Sequence, residues 1–148
     1  MKKTLVMAAV VLLTACSTTK TVTQSKVDIY KSLNPPSGKA IVYIIRPNAM
    51  GLIVPFKVFC NDSLIGSTTG NKYLFAILEP GKNHFLSDAE NKSELELQTE
   101  PNKIYFLEQK VKMGLISARN QLVRLNEEEG KAGLAKCNLS SKFSPPEL

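Results

Sequence analysis

Ala40-Ile41-Val42-Tyr43-Ile44-Ile45-Arg46 is the stretch on which the fold turns. Six consecutive apolar residues end at Arg46-Pro47, too few for a core helix and apolar on both faces, as a central β-strand is. Outward from it the chain breaks into similar short pieces. Residues 48–55 read as a loop. Residues 56–60 and 63–67 flank Asn61-Asp62, a dipeptide suited to a tight hairpin turn. Residues 73–78 form a further apolar run, stopped by Pro80-Gly81, and residues 84–89 follow. Residues 93–99 alternate, with Leu95 and Leu97 on one face and Glu94, Glu96 and Gln98 on the other. Pro101-Asn102 turns the chain into residues 103–112, rich in Ile, Tyr, Phe and Val, and residues 121–125 make another short strand.

One helix is expected near the end. Asn126 caps it, and Glu127, Glu128 and Glu129 stand in its first turn, where the helix dipole favours carboxylates. Gly130 and Gly133 weaken it, so it is short. Residues 136–139 form a last edge strand. The pattern predicts a mainly β fold: an antiparallel β-sandwich of seven to eight strands, or a small barrel, with one short C-terminal helix. A ferredoxin-like fold is disfavoured because the middle of the chain offers no amphipathic helix.

The N-terminus carries a different signal. Lys2-Lys3 precede an apolar run from Leu5 to Leu13, and Leu13-Thr14-Ala15-Cys16 closes it. A spanning helix needs about 20 apolar residues, so this run is too short. Its anatomy is that of a signal peptide, and its end resembles the lipobox of bacterial lipoproteins, in which cleavage after a small residue (Ala15) leaves an acylated cysteine (Cys16) as the new N-terminus. Two or more acyl chains anchor a protein stably in a bilayer. Ser17 in place of Asp points, for that lipoprotein class, to the outer membrane of a Gram-negative bacterium, facing the periplasm. The expected organisation is a signal peptide at 1–15, lipidated Cys16 and a Ser/Thr-rich flexible tether through 37, a β-sandwich at 38–140 and a loose tail at 141–148.

Loss of residues 1–15 leaves 133 residues, enough for one domain with a real core. The formal charge falls from +6 to +4 with Lys2 and Lys3. The basic residues are spread along the chain without a nucleic-acid motif, so nucleic acid is not an expected partner.

Chemistry-bearing residues are few. With Cys16 as the anchor, Cys60 and Cys137 remain; strand parity turns both inward. A disulfide between them would stabilise by roughly 4 kcal/mol, and sequence leaves open whether they bridge or stay free thiols. His84, the single histidine, lacks the partners that a general base or metal ligand needs, and reads as a strand-start residue with structural hydrogen bonds. Arg46 is suited to binding an anion or to satisfying carbonyls at a sheet edge. Tyr43, Tyr73, Tyr105 and Phe106 read as core in preference to a ligand groove. No nucleophile elbow, phosphate loop, metal-ligand spacing or cofactor motif occurs.

Taken in order, Tyr43 to Pro47, the strand 56–60 with Asn61-Asp62 and Gly66, Tyr73, the turn Pro80 to His84, Lys103 to Phe106 and Glu127 to Gly130 resemble a bacterial envelope family known as a domain of unknown function. The resemblance covers about residues 38–140. Asn83, between Lys82 and His84, departs from the tighter turn of such domains. It implies a small β-sandwich similar to carboxypeptidase-regulatory or PEGA-type domains on a lipoprotein or periplasmic protein, and it implies no catalytic residues. The expectation is a non-enzymatic outer-membrane lipoprotein that binds or scaffolds an envelope protein or glycan, needs no cofactor, and contacts the bilayer through Cys16. The alternatives are a small hydrolase or transferase of peptidoglycan or lipid, with a polar cleft around His84, and a carrier of an apolar ligand between the sheets.

Overall fold

A computed structural model describes residue 31 and residues 34–143; Ala15, Cys16 and the rest of the signal and tether through residue 30 lie outside them, as do residues 144–148. The strands are β1 (Ala40–Arg46), β2 (Phe56–Cys60), β3 (Ser63–Thr68), β4 (Lys72–Leu78), β5 (Gly81–Asp88), β6 (Lys92–Thr99), β7 (Ile104–Met113), β8 (Ala118–Leu125) and β9 (Asn138–Leu139), with helix α1 (Glu127–Ala135) between the last two. They form two sheets, β8-β7-β1-β4-β9 and β3-β2-β5-β6.

The expected β-rich sandwich with its short helix is present, with nine strands among the described residues where seven to eight were expected, and the pairing is corrected in one respect. The sheets are not wholly antiparallel: β7 pairs with β1 in parallel, and so does β9 with β4. The reason is the route of the chain. β2 and β3 leave for the second sheet, β4 returns antiparallel on one edge of β1, and β5 and β6 leave again. β7 then enters from the end where β1 began, bound there by the Ile41 N–H to Lys103 O hydrogen bond, and takes the other edge of β1.

The local signals act as read. Asn61 and Asp62 have φ of 47° and 66°, the left-handed pair that a two-residue hairpin requires. Asn126 Oδ1 accepts from Glu129 N–H at 2.9 Å and the Glu129 carboxylate reaches back to Asn126 N–H, a reciprocal cap. Gly130 and Gly133 do more than shorten the helix. Both are buried, and an added Cβ would run into the Phe106 ring at Gly130 and into Ile45 Cδ1 at Gly133. The glycines let the helix backbone lie directly on the sheet.

That contact explains why β1 is apolar on both faces. Ala40, Val42 and Ile44 face the second sheet and join Val58, Ile65, Phe85, Leu97 and Leu107 in the inter-sheet core. Ile41, Tyr43 and Ile45 face the other way, into a second cluster closed by Leu134 and Cys137. The tail boundary also moves. Phe143 bridges to Gly66, Lys142 O accepts from Ser67 N–H at 3.1 Å, and the Phe143 ring lies 4.6 Å from that of Phe75. Residues 141–143 therefore belong to the domain, because they pair with the open edge of β3.

Candidate functional site

The sequence-derived candidates do not converge. Cys60 and Cys137 are both free and buried. Cys60 belongs to the inter-sheet core and Cys137 to the cluster under the helix, on opposite faces of the five-stranded sheet. The disulfide that sequence left open is not formed, because β1 and β4 stand between the thiols. Burial pushes the Cys60 thiol up to about 11. It raises Cys137 as well, opposed by a hydrogen bond from the Arg46 backbone. Neither is an activated nucleophile.

Arg46 is fully buried and is no anion site. Its Nη1 donates to Val54 O at 2.7 Å and to Thr68 O at 3.4 Å; its Nη2 donates to Gly51 O at 2.7 Å and Met50 O at 3.2 Å. The guanidinium stacks 3.8 Å from the Phe56 ring centroid. Among the described residues it forms no ion pair with a carboxylate. Burial lowers its pKa to about 10, which leaves it charged at neutral pH. The carbonyl-satisfying alternative is the one realised, and the carbonyls belong to the loop after β1.

His84 lies half-buried on the outer face of β5. Its Nε2 is 3.2 Å from a Glu94 oxygen, beside the Lys82–Glu96 pair at 2.8 Å. Its backbone N–H donates to Asn61 Oδ1 at 2.9 Å. Asn83 is the buried centre of a polar cluster: it accepts from Asn61 Nδ2 at 2.8 Å and donates to Thr99 Oγ1 at 2.9 Å. Tyr43, Tyr73, Tyr105 and Phe106 are all buried core, divided between the two clusters. They provide no common lining for an apolar ligand. Groups of three or more His, Cys, Asp or Glu placed to hold a metal do not occur among the described residues.

A groove that sequence did not indicate runs along the β3 edge. It measures about 780 Å³ and is lined by Lys57, Leu64, Asp88, Glu90, Lys142 and Phe143, among others. Non-local pairing assembles it: Lys57 stands opposite Asp88 across β2 and β5, and the 140–143 segment forms one wall. Ammonium and carboxylate groups border apolar Leu64 and Phe143, a mixture suited to holding a ligand or a chain segment.

The family model described as "Protein of unknown function (DUF2846)" matches residues 36–121. The chain belongs to this family. The matched DUF2846 segment runs from the turn before β1 into β8, so the helix and β9, which close the second cluster, follow it. The chain is also similar to an "Uncharacterized protein" of Haemophilus influenzae (strain ATCC 51907 / DSM 11121 / KW20 / Rd). The two are 26% identical over 137 residues, 91% of this chain and 82% of the relative.

Proposed function

We propose that this DUF2846 protein is a lipoprotein of the cell envelope, held by acylated Cys16 at the periplasmic face of the outer membrane. Its sandwich, similar in kind to carboxypeptidase-regulatory or PEGA-type domains, binds an envelope protein or glycan without catalysing a reaction. The observation that carries the anchor is Leu13-Thr14-Ala15-Cys16, directly behind an apolar run and Lys2-Lys3. The β3-edge groove supports the binding role. It is roomy and chemically mixed, whereas the hydrogen bond given to the His84 ring goes to Glu94 on the neighbouring strand.

The test is in-cell crosslinking from a photoreactive residue at Leu64, with mass spectrometry of the captured species, beside labelling with an alkyne fatty acid. Label on the wild type and none on Cys16→Ser supports the anchor. One saturable partner, lost with Cys16→Ser, supports the binding role. A diffuse background overturns the binding role, and unlabelled Cys16 overturns the anchor.

A further inference from the structure

Large apolar side chains are exposed at one end of the sandwich, on two loops. The loop after β1 carries Met50, Leu52 and Ile53; the β7–β8 turn carries Met113, Leu115 and Ile116. Ile53 is 86% exposed and Met113, Leu115 and Ile116 are 92%, 94% and 96% exposed, which makes them protruding tips and not the rim of a core. The parallel pairing of β7 with β1 brings the two loops to the same end. A Cβ placed on Gly51 would lie 3.4 Å from Ala118 Cβ and 3.7 Å from Val111 Cγ1, so the loop after β1 packs against the strands that carry the β7–β8 turn.

Both loops are fastened from below by a charged side chain. Arg46 takes the carbonyls of Met50, Gly51 and Val54. Glu90 accepts from the N–H groups of Leu115, Ile116 and Ser117 at 3.1, 3.3 and 2.6 Å. Three carbonyls of the first loop and three N–H groups of the second are thus satisfied from within while the apolar side chains are exposed. A loop that enters lipid needs this arrangement, because an unsatisfied N–H or C=O is costly there; a loop that meets a hydrated protein surface does not.

Behind the tips three basic side chains stand around the single Glu90 carboxylate that fastens the turn. Lys112 and Arg119 stand directly opposite each other in the register, with Lys110 two residues further back. Among the described residues none of the three lies within 4.0 Å of a carboxylate, although the Arg119 charge acts on Glu90 at the turn. Like charges opposed across strands destabilise a sheet, whereas an anionic bilayer surface attracts them. The Lys31 side chain reaches the same end of the five-stranded sheet, whereas Gly38 and Lys39 bond to Asn102 at the opposite one. Lys31 Nζ donates to Cys137 O at 3.2 Å, next to Asn138, which pairs with Lys72, the strand partner of Arg46.

We infer that this end of the domain docks on an anionic phospholipid bilayer, with residues 50–53 and 113–116 entering the headgroup–acyl boundary and Lys110, Lys112 and Arg119 contacting phosphates. The docking is a second membrane contact beside the acyl anchor. It holds the sandwich upright with the Asn61-Asp62 end pointing away from the membrane.

The full chain, purified from envelopes, is reconstituted in phosphatidylethanolamine vesicles with or without phosphatidylglycerol. An environment-sensitive fluorophore is attached to Ile53→Cys, Ile116→Cys or, at the far end, Asp62→Cys; Cys60 and Cys137 are buried and spared. Emission shifted to the blue and quenched by nitroxide-labelled acyl chains at 53 and 116, but not at 62, supports docking. So does a loss of at least half of that quenching without phosphatidylglycerol or in Lys112→Gln/Arg119→Gln. Unquenched tips on protein that floats with the vesicles overturn it, as does equal quenching at all three sites. Tips shielded only as protein concentration rises identify a second copy as the occupant and likewise overturn it. The mass of the N-terminal fragment reads acylation of Cys16 separately, so failure of the anchor is distinguishable from failure of the docking.

Discussion

Replacing Arg46 by Met keeps an unbranched side chain over the Phe56 ring and removes the guanidinium. Four carbonyls then lose their donor: Val54 and Gly51 at 2.7 Å, Met50 at 3.2 Å and Thr68 at 3.4 Å. The two short bonds are of the charge-assisted kind, worth about 1.5–3 kcal/mol each. The stacking on Phe56 adds about 1 kcal/mol. Against this stands the cost of holding a cation in the core with no carboxylate beside it, visible in the lowering of its pKa to about 10. The loop carbonyls, being near the surface, also recover some water when released. The balance is a net loss of about 2–4 kcal/mol. With an m-value of about 2 kcal/mol/M, the middle of the usual range, the urea midpoint of the full chain falls by about 1–2 M. Hydrogen exchange localises the effect. Gly70 N–H, bonded to Leu52 O at 3.0 Å, and Val54 N–H, bonded to Gly51 O at 3.0 Å, lose protection ahead of β1. Arg46→Lys falls between the two, since one ammonium cannot fork to both sides of the loop. A Met variant within about 0.5 kcal/mol of the parent, with both amides still protected, would refute the assignment of Arg46 as the fastener of the loop.

Gly130→Ala should destabilise by about 1–3 kcal/mol through overpacking, despite a helix-propensity gain of about 1 kcal/mol, because the new methyl meets the Phe106 ring; a rise in thermal midpoint would show that the helix yields freely. Cys60 and Cys137 should react with a thiol reagent only on unfolding, at pH 7 as at pH 9, since burial raises both; an intramolecular disulfide in the mature protein, seen by mass with and without reductant, would contradict their separation. Hydrogen bonds from Ser117, Leu115 and Ile116 N–H, with a contribution from the Arg119 charge, lower the Glu90 pKa below its ordinary value of about 4.3. A lowered carboxylate stabilises the β7–β8 turn above that ordinary value, and the stabilisation is lost as pH falls through the lower folded value. The amides of residues 115–117 should therefore exchange faster than an acid-corrected reference below about pH 4, and Glu90→Gln should remove the pH dependence; an unchanged profile in the variant would refute the contact.

Three local signals on the described residues are realised. Positive φ at Asn61 and Asp62, the cap at Asn126 with its three glutamates, and alternation along β6 each depend on residues within one turn or one strand. Propensity and turn chemistry decide them before any long-range contact exists. The double-sided apolarity of β1 was legible as centrality, and Arg46 as one of two alternatives. The groove left no trace in the sequence, because Lys57, Asp88 and the 140–143 segment are brought together by strand pairing and carry no common spacing.

The amino-acid sequence by itself determined the β class, most strand positions and the capped helix, all of which follow from short-range pattern. Only the tertiary structure decided which edge of β1 receives β7 and in which direction, and the rest follows from that placement. It puts Cys60 and Cys137 on opposite faces, makes glycine necessary where the helix meets Phe106, and brings the loops of Met50 and Ile116 to one end. The physical reason is that strand order and facing are settled by competition among distant partners for one buried surface, and no window of sequence contains both competitors.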